Sequence, residues 1–183
     1  MTTIKSIKTK AIIALILSVF ALLPYVGVLF TIAFYAVMLF AIKGVKELSS
    51  SPTVLRNFLI FVGLMILSVV LENYFSSSKL GSALEFAATG DSSSIFSGVF
   101  MDIVKIVVAL AGVIFGFFYY KELSRLSDRS LFIVAYIFVL LDQALTVLWM
   151  GWISWVFALL AFIFELIAWI KLDHINKVTV ENI

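Results

Sequence analysis

Residues 11–42 read AIIALILSVFALLPYVGVLFTIAFYAVMLFAI and contain no charged side chain. A single helix of this length would extend for ~48 Å at 1.5 Å per residue, whereas the hydrocarbon core of a bilayer is ~30 Å thick. Pro24 lies in the middle of the stretch and interrupts the helical hydrogen-bond ladder, and Gly27 permits a turn after it. The sequence therefore predicts two helices here, at about 6–23 and 26–46.

The composition of the whole chain indicates a membrane protein. Hydrophobic residues make up 63% of the 183 residues, charged residues make up 13%, and the mean hydropathy is +1.18. A soluble domain carries about 25% charged residues to cover its surface, so a bilayer is the expected solvent. The net charge of +2 is too small to indicate nucleic acid as a partner. The absence of cysteine excludes disulfides, thiolate metal sites and a cysteine nucleophile.

Four further apolar stretches have the length that a membrane-crossing helix needs. The corresponding spans are expected at about 57–75, 99–120, 131–150 and 152–170. Between the first two lies segment 76–98, whose many serines and glycines are typical of a flexible outside loop, although Lys79–Ala88 could form one short interfacial helix and the sequence does not decide between the two. The predicted fold class is therefore all-α, a polytopic membrane helix bundle. It has six transmembrane helices arranged as three hairpins in one domain over residues 1–183.

The positions of the basic residues predict the orientation of these spans. With the N-terminus in the cytoplasm, only Lys79 falls in an outside loop and only Lys105 falls within a span. The other lysines and arginines all fall in cytoplasmic segments: Lys5, Lys8, Lys10, Lys43, Lys46, Arg56, Lys121, Arg125, Arg129, Lys171 and Lys177. This asymmetry follows the positive-inside rule and places both termini in the cytoplasm. A cleaved signal peptide is disfavoured, because no small-x-small cleavage site follows Leu23.

Small residues mark the helix faces that are expected to pack. Gly112 and Gly116 form a Gly-x-x-x-Gly pair in the fourth span, and Ala158 and Ala161 share a face of the sixth. Such faces serve either as a dimer seam or as ordinary packing surfaces between helices of one chain. The second interpretation is favoured, because the pattern is common in membrane helices.

Polar side chains at membrane depth are the candidate functional residues, because burying them in lipid is costly. They are Lys105, Asp142 and Glu165, with Asp102 and Glu72 near the proposed outer boundary. We predict that Glu165 points toward other helices, since it shares the small-residue face of the sixth span. We also predict that Lys105 pairs with Asp142. These charges either form a proton or ion pathway or pair with one another and fix the helix register, and the pairing interpretation is favoured.

No motif in the sequence indicates catalysis. The phosphate-binding, zinc-protease and nucleophile-elbow patterns do not occur, and His174 is the only histidine. A metal site needs three or four convergent ligands, so a surface role is expected for His174. The sequence therefore predicts no enzyme activity, no catalytic residue, no cofactor and no metal.

Three segments resemble a family of small prokaryotic membrane proteins that is defined only as a domain of unknown function. They are residues 10–48, with Leu23-Pro24-Tyr25-Val26-Gly27 and a Phe-Ala-Ile-Lys-Gly exit, the run Phe118-Tyr119-Tyr120-Lys121-Glu122-Leu123, and the glycine-started last helix. The resemblance implies a multi-span protein of the prokaryotic inner membrane and no particular activity or functional residue.

Two functions are compatible with these observations. The first is a structural or accessory membrane component without catalysis, whose partners are the lipid bilayer and either further copies of itself or another membrane subunit. The alternative is a small transporter or channel that uses Asp142, Glu165 and Lys105. A carboxylate that faces a water-filled path would favour transport, and a dry, paired carboxylate would favour the accessory role.

Overall fold

The computed structural model describes residues 2–89, 93–148 and 150–178. Within these ranges it describes the backbone alone for residues 73–89, 93–99, 147 and 151. All regular secondary structure in the described residues is α-helical, which confirms the predicted all-α class. The six helices are α1 (Ile4–Phe20), α2 (Gly27–Ser49), α3 (Pro52–Thr89), α4 (Ser93–Ser127), α5 (Leu131–Val147) and α6 (Gly151–Ile170).

Helices α1 and α2 form the hairpin that Pro24 predicts. The side chain of Thr3 caps α1 by accepting a hydrogen bond from the backbone N–H of Ser6 at 3.2 Å. The turn between the helices places Tyr25 in the left-handed region at φ 67°. Gly27 then begins α2, and a Cβ atom there would overlap the carbonyl oxygen of Ala21. The glycine is therefore required by the close approach of the turn to the second helix.

The two helices approach closely again near the far end of the hairpin. A Cβ atom on Gly44 would lie 2.7 Å from Cγ1 of Ile7, so only glycine lets α1 rest against α2 at this point. Ile7, Ala11 and Ala14 of α1 are fully buried, and Ala41 and Ile42 of α2 are buried as well. These small and branched side chains form the packed face of the hairpin.

Helices α3 and α4 are longer than the predicted spans at 57–75 and 99–120. Of the two possibilities for 76–98, the flexible loop is wrong for the backbone of 76–89 and 93–98, which is helical and extends beyond the short helix considered for Lys79–Ala88; residues 90–92 lie outside the described part of the chain. The physical reason is that Lys79–Ala88 is rich in leucine, alanine, lysine and glutamate, which favour helix. Serine is only modestly unfavourable in a helix, so the many serines of this segment do not prevent it from being helical.

Helices α5 and α6 form a second hairpin, joined through residues 148–150. Ring contacts hold the two helices together along their length. Phe138 of α5 stacks on Phe164 of α6 at 5.2 Å between ring centroids, and Phe132 meets the edge of Trp169 at 5.1 Å. Phe132 and Trp169 are fully buried, so this end of the hairpin is the best-packed part of it.

Four helical segments in the described residues are long and apolar enough to cross a membrane: Gly27–Ser49, Pro52–Glu72, Phe100–Ser127 and Trp152–Ile170. The apolar helix Leu131–Thr146 is shorter, and α1 has 17 residues, which span ~26 Å at 1.5 Å per residue. A helical membrane protein is thus what the fold supports. The count of six spans stays a prediction, because α1 and α5 are short for a ~30 Å hydrocarbon core.

The chain forms two compact units. The first contains residues 1–58 and 116–183, and the second contains residues 59–115. The buried hydrophobic side chains belong to the first unit, among them Tyr119, Phe132, Ala161 and Trp169. The second unit contains α3 from residue 59 onward and α4 up to residue 115, and the large apolar side chains that the structure describes there are exposed or partly buried, as expected for helices that face lipid. The expectation of a single domain over 1–183 stays a prediction.

Candidate functional site

Glu165 lies on α6 at membrane depth and is bound by a side chain of α4. The hydroxyl of Tyr120 donates a hydrogen bond to Oε2 of Glu165 at 3.2 Å. Tyr120 is buried, whereas Glu165 itself is partly buried. The two residues are 45 positions apart in the sequence, so the hydrogen bond fixes α6 against α4 within the first unit. A hydrogen bond to a charged group contributes about 1.5–3 kcal/mol, and one to a neutral group contributes about 1 kcal/mol.

An aromatic cluster positions Tyr120 and surrounds the carboxyl group of Glu165. Tyr120 stacks on Tyr136 of α5 at 5.0 Å and meets the edge of Tyr119 at 4.9 Å. Tyr35 of α2 also lies near enough to Glu165 to interact with it electrostatically. The indole N–H of Trp169, one turn further along α6, lies near Glu165 as well, but it is buried without reaching hydrogen-bond geometry to any described acceptor. The surroundings of Glu165 are therefore aromatic, with neutral hydroxyl and indole groups.

Asp142 forms a second polar cluster, between α5 and α6. The hydroxyl of Ser154 donates a hydrogen bond to Oδ1 of Asp142. Thr146, one turn beyond Asp142, lies with its hydroxyl 2.9 Å from that of Ser154 and donates to the carbonyl oxygen of Asp142 at 2.9 Å. Ser154 is buried in the first turn of α6, where the positive end of the helix dipole favours a nearby carboxylate. The cluster joins α5 to α6 close to the turn that connects the two helices.

The two clusters share one face of α6. Ser154 and Glu165 are 11 residues apart, which is about three turns and ~16 Å along the axis, so they project in nearly the same direction. Ala161 and Ala168, on the same face, are buried, and Ala158 is partly buried. The prediction that Glu165 lies on the packed, small-residue face of α6 agrees with this arrangement.

The remaining polar candidates lie in the second unit. Lys105 and Asp102 on α4 are partly buried, and Glu72 on α3 is exposed. Gly112 is buried at the point where α3 and α4 approach each other. A Cβ atom there would make an ordinary contact of 3.9 Å with Cβ of Leu64. Gly116 is buried in the first unit. Since Lys105 and Asp142 belong to different units, their pairing stays a prediction.

Sequence reasoning missed Glu122, which is the centre of the hydrogen-bond network where α2 and α3 meet α4. Its Oε1 accepts hydrogen bonds from Ser51 at 2.7 Å, Thr53 at 3.0 Å and Arg125 at 2.8 Å. Ser49 and Ser51 are fully buried at this junction, and Ser50 between them has a left-handed backbone at φ 59°. The signal available in the sequence was the run of three serines before Pro52, which is a typical start for a helix.

Residues 171–178 leave α6 as an extended segment, here called the strap, that lies across the same end of the first unit. The backbone N–H of Asn176 donates to the carbonyl of Leu126 at 2.7 Å, and that of Val178 donates to the carbonyl of Ser49 at 2.8 Å. Leu172, within the strap, is buried. His174, predicted to be a surface residue, lies in this strap and is about half exposed.

In the part of the chain that the structure describes, no three His, Asp or Glu side chains are grouped so that they could hold a metal ion. Comparison with protein-family models, with curated proteins and with solved structures found no match. The resemblance to a family of small prokaryotic membrane proteins therefore stays a prediction. The class that fold and composition support is a helical integral membrane protein.

Proposed function

We propose that this chain is a structural or accessory component of a membrane and has no catalytic role. The observation that supports this function best is the state of its two membrane-depth carboxyl groups. Glu165 is engaged by Tyr120 and Asp142 by Ser154, and each contact joins two different helices. Polar groups that hydrogen-bond one helix to another stabilise the fold. A substrate could bind them only after these hydrogen bonds were broken.

The proposed location is a prokaryotic inner membrane, with six spans and both termini in the cytoplasm. The proposed partner is a second copy of the chain or another membrane subunit, in addition to lipid. The outer surface of α6 fits either lipid or a protein partner, since Trp152, Trp155 and Leu159 are 79%, 64% and 58% exposed. Tryptophan is favoured both at the lipid–water interface and at helix–helix contacts.

Cysteine labelling tests the proposed topology, and the chain has no cysteine of its own that would interfere. Ser50 lies between α2 and α3, and Ser93 begins α4. We expect cysteines introduced at these two positions to react with a membrane-impermeant maleimide from opposite sides of sealed vesicles, because the basic residues cluster on one side only. Labelling of both from the same side would contradict the six-span arrangement.

The alternative proposal is a small proton or cation transporter. One observation favours it: among the described residues, neither Glu165 nor Asp142 forms a salt bridge with a lysine or an arginine. A carboxyl group without a cationic partner in a bilayer is stabilised by taking up a proton or a cation, and such residues mark ion pathways in many membrane proteins. Lys105 is the third residue proposed for this pathway.

Reconstitution into proteoliposomes distinguishes the two functions. For an accessory component, we expect no uptake of protons or sodium above that of empty vesicles under an imposed pH or sodium gradient. Transport would instead produce a flux that Glu165→Gln or Asp142→Asn abolishes, since both variants keep the size of the side chain but remove its charge. Tyr25→Phe, in an exposed turn far from either carboxyl group in sequence, is the matched control and should leave any flux unchanged.

A further inference from the structure

The strap, residues 171–178, is held at the end of the first unit by a chain of charged side chains. Arg129, which follows α4, donates to Asp173 at 2.9 Å. The imidazole of His174 lies between two carboxylates, with Nδ1 2.8 Å from Asp173 and Nε2 3.3 Å from Asp128. Asn176 donates through its side-chain amide to the same Asp128 oxygen at 2.8 Å. The left-handed backbone of Asp128, at φ 50°, turns its carboxylate toward the strap.

The imidazole can satisfy both carboxylates only when it carries two N–H groups. A neutral imidazole has one donor and one acceptor nitrogen, and its acceptor nitrogen would face a carboxylate oxygen without a proton between them. In the protonated ring both nitrogens donate, and its positive charge lies between two negative charges. Arg129 already neutralises Asp173, so Asp128, whose other partner is the neutral amide of Asn176, gains most from this charge.

We propose that the strap is a pH-dependent latch, which docks when His174 is protonated and loosens when His174 loses its proton. The loosened strap would uncover the apolar side chains beneath it, where Leu172 and Ile175 of the strap meet Val45, Leu126, Phe132 and Trp169. Trp169 also lies near Glu165, so the latch closes over the end of α6 that carries this partly buried carboxyl group. This regulation is independent of the proposed accessory function.

The electrostatics of the cluster give the direction of the pH dependence. Hydrogen bonds to Asp128 and then to Asp173 raise the pKa of His174 above its ordinary value of 6.5. Hydrogen bonds from Asn176 and His174 lower the pKa of Asp128, and hydrogen bonds from Arg129 and His174 lower that of Asp173, both below 3.8. The contribution of His174 to docking is therefore complete below pH ~6.5 and is lost as the pH rises through its raised pKa. The contribution of the two carboxylates is complete above pH ~4 and is lost in stronger acid.

Pulsed electron–electron double resonance, which measures the distance between two spin labels, tests this latch on the full chain in lipid nanodiscs. Spin labels are attached at Lys177→Cys in the strap and at Arg56→Cys on α3, both exposed positions of the first unit. We expect a narrow distance distribution at about pH 6 and a broad component that grows toward about pH 8, because His174 loses its proton as the pH rises through its raised pKa. A label pair outside the strap, Lys46→Cys with Arg56→Cys, should give the same distribution at both pH values.

Two variants identify the titrating group. His174→Gln keeps a hydrogen-bonding side chain that cannot be protonated, so the broad component should be present at both pH values and the pH dependence should vanish. Asp128→Asn removes the negative charge that favours protonation, so the midpoint of the transition should move to lower pH. The latch is disproved if the wild-type distribution does not change with pH, if His174→Gln keeps the wild-type transition, or if Asp128→Asn leaves the midpoint in place.

Discussion

Replacement of Glu165 by lysine is expected to destabilise the folded protein by about 3 kcal/mol, which is the cost of a lysine near the centre of a membrane helix. The substitution removes the acceptor for the hydroxyl of Tyr120 and places a cation beside buried Tyr120 and Trp169. The new ammonium group has no carboxylate partner there. It lies six residues before Lys171, or ~9 Å along the axis, so reaching the interface would require the side chain to leave its packed position.

The matched control is Glu165→Gln, which keeps the shape of the side chain and still accepts a hydrogen bond from Tyr120. If Glu165 is protonated in the folded protein, we expect this variant to cost less than about 1 kcal/mol, since one neutral hydrogen bond then replaces another. The measurement is the unfolding midpoint in detergent, by heat and by a denaturing-detergent titration. Equal stability of the wild type and Glu165→Lys would mean that Glu165 faces solvent or headgroups and that the contact with Tyr120 does not stabilise the fold.

Replacement of Gly27 by alanine is expected to cost about 3 kcal/mol, at the upper end of the range for forcing an extra carbon into a packed site. The new Cβ would overlap the carbonyl oxygen of Ala21. Because that oxygen belongs to the backbone of the turn, no side-chain rotation relieves the overlap. The turn must open, and the hydrogen bond from the Gly27 N–H to the carbonyl of Leu23, at 2.9 Å, is lost with it.

Gly63→Ala provides the control for Gly27→Ala in the same unfolding assay. Gly63 lies within α3, and a Cβ atom there would have no neighbour within 4 Å. Alanine is a better helix former than glycine, so this variant should be neutral or more stable by up to about 1 kcal/mol. If both glycine variants lose stability equally, the cost at Gly27 does not arise from the overlap with Ala21.

The sequence predicted the fold best where apolar runs and helix-breaking residues mark the ends of the helices. Pro24 and Gly27 predicted the first hairpin, and the structure places the turn at residues 21–26. For the serine-rich segment the sequence did not decide between a loop and a short helix, because its serines and glycines favour a loop whereas Lys79–Ala88 contains helix formers. The number of spans could not be derived either, since α1 and α5 are close to the minimum length for crossing and length alone does not decide such helices.

The site was predictable only in part. The alanine face of α6 predicted that Glu165 is directed inward, but no residue pattern identified Tyr120 as its partner. Tyr120 is one of several aromatic residues at the end of α4, and nothing local identifies which of them faces a residue 45 positions away. The same limit applies to Glu122 and to the strap, whose contacts depend on helix rotation and on long-range packing that no short pattern encodes.

The length of α3 bears on how far this protein extends beyond the surface of the membrane. The segment Pro52–Glu72 of α3 is apolar enough to cross a membrane, and the more polar sequence NYFSSSKLGSALEFAAT that follows it at residues 73–89 continues the same helix. Seventeen further residues extend ~25 Å along the helix axis, whereas the headgroup layer on one side of a bilayer is only ~5–8 Å thick. A helix that follows the bilayer normal would therefore rise ~17 Å above the lipid headgroups. It would hold residues 73–89, four of which are serines, where a water-soluble protein can reach this part of the chain without contacting the membrane.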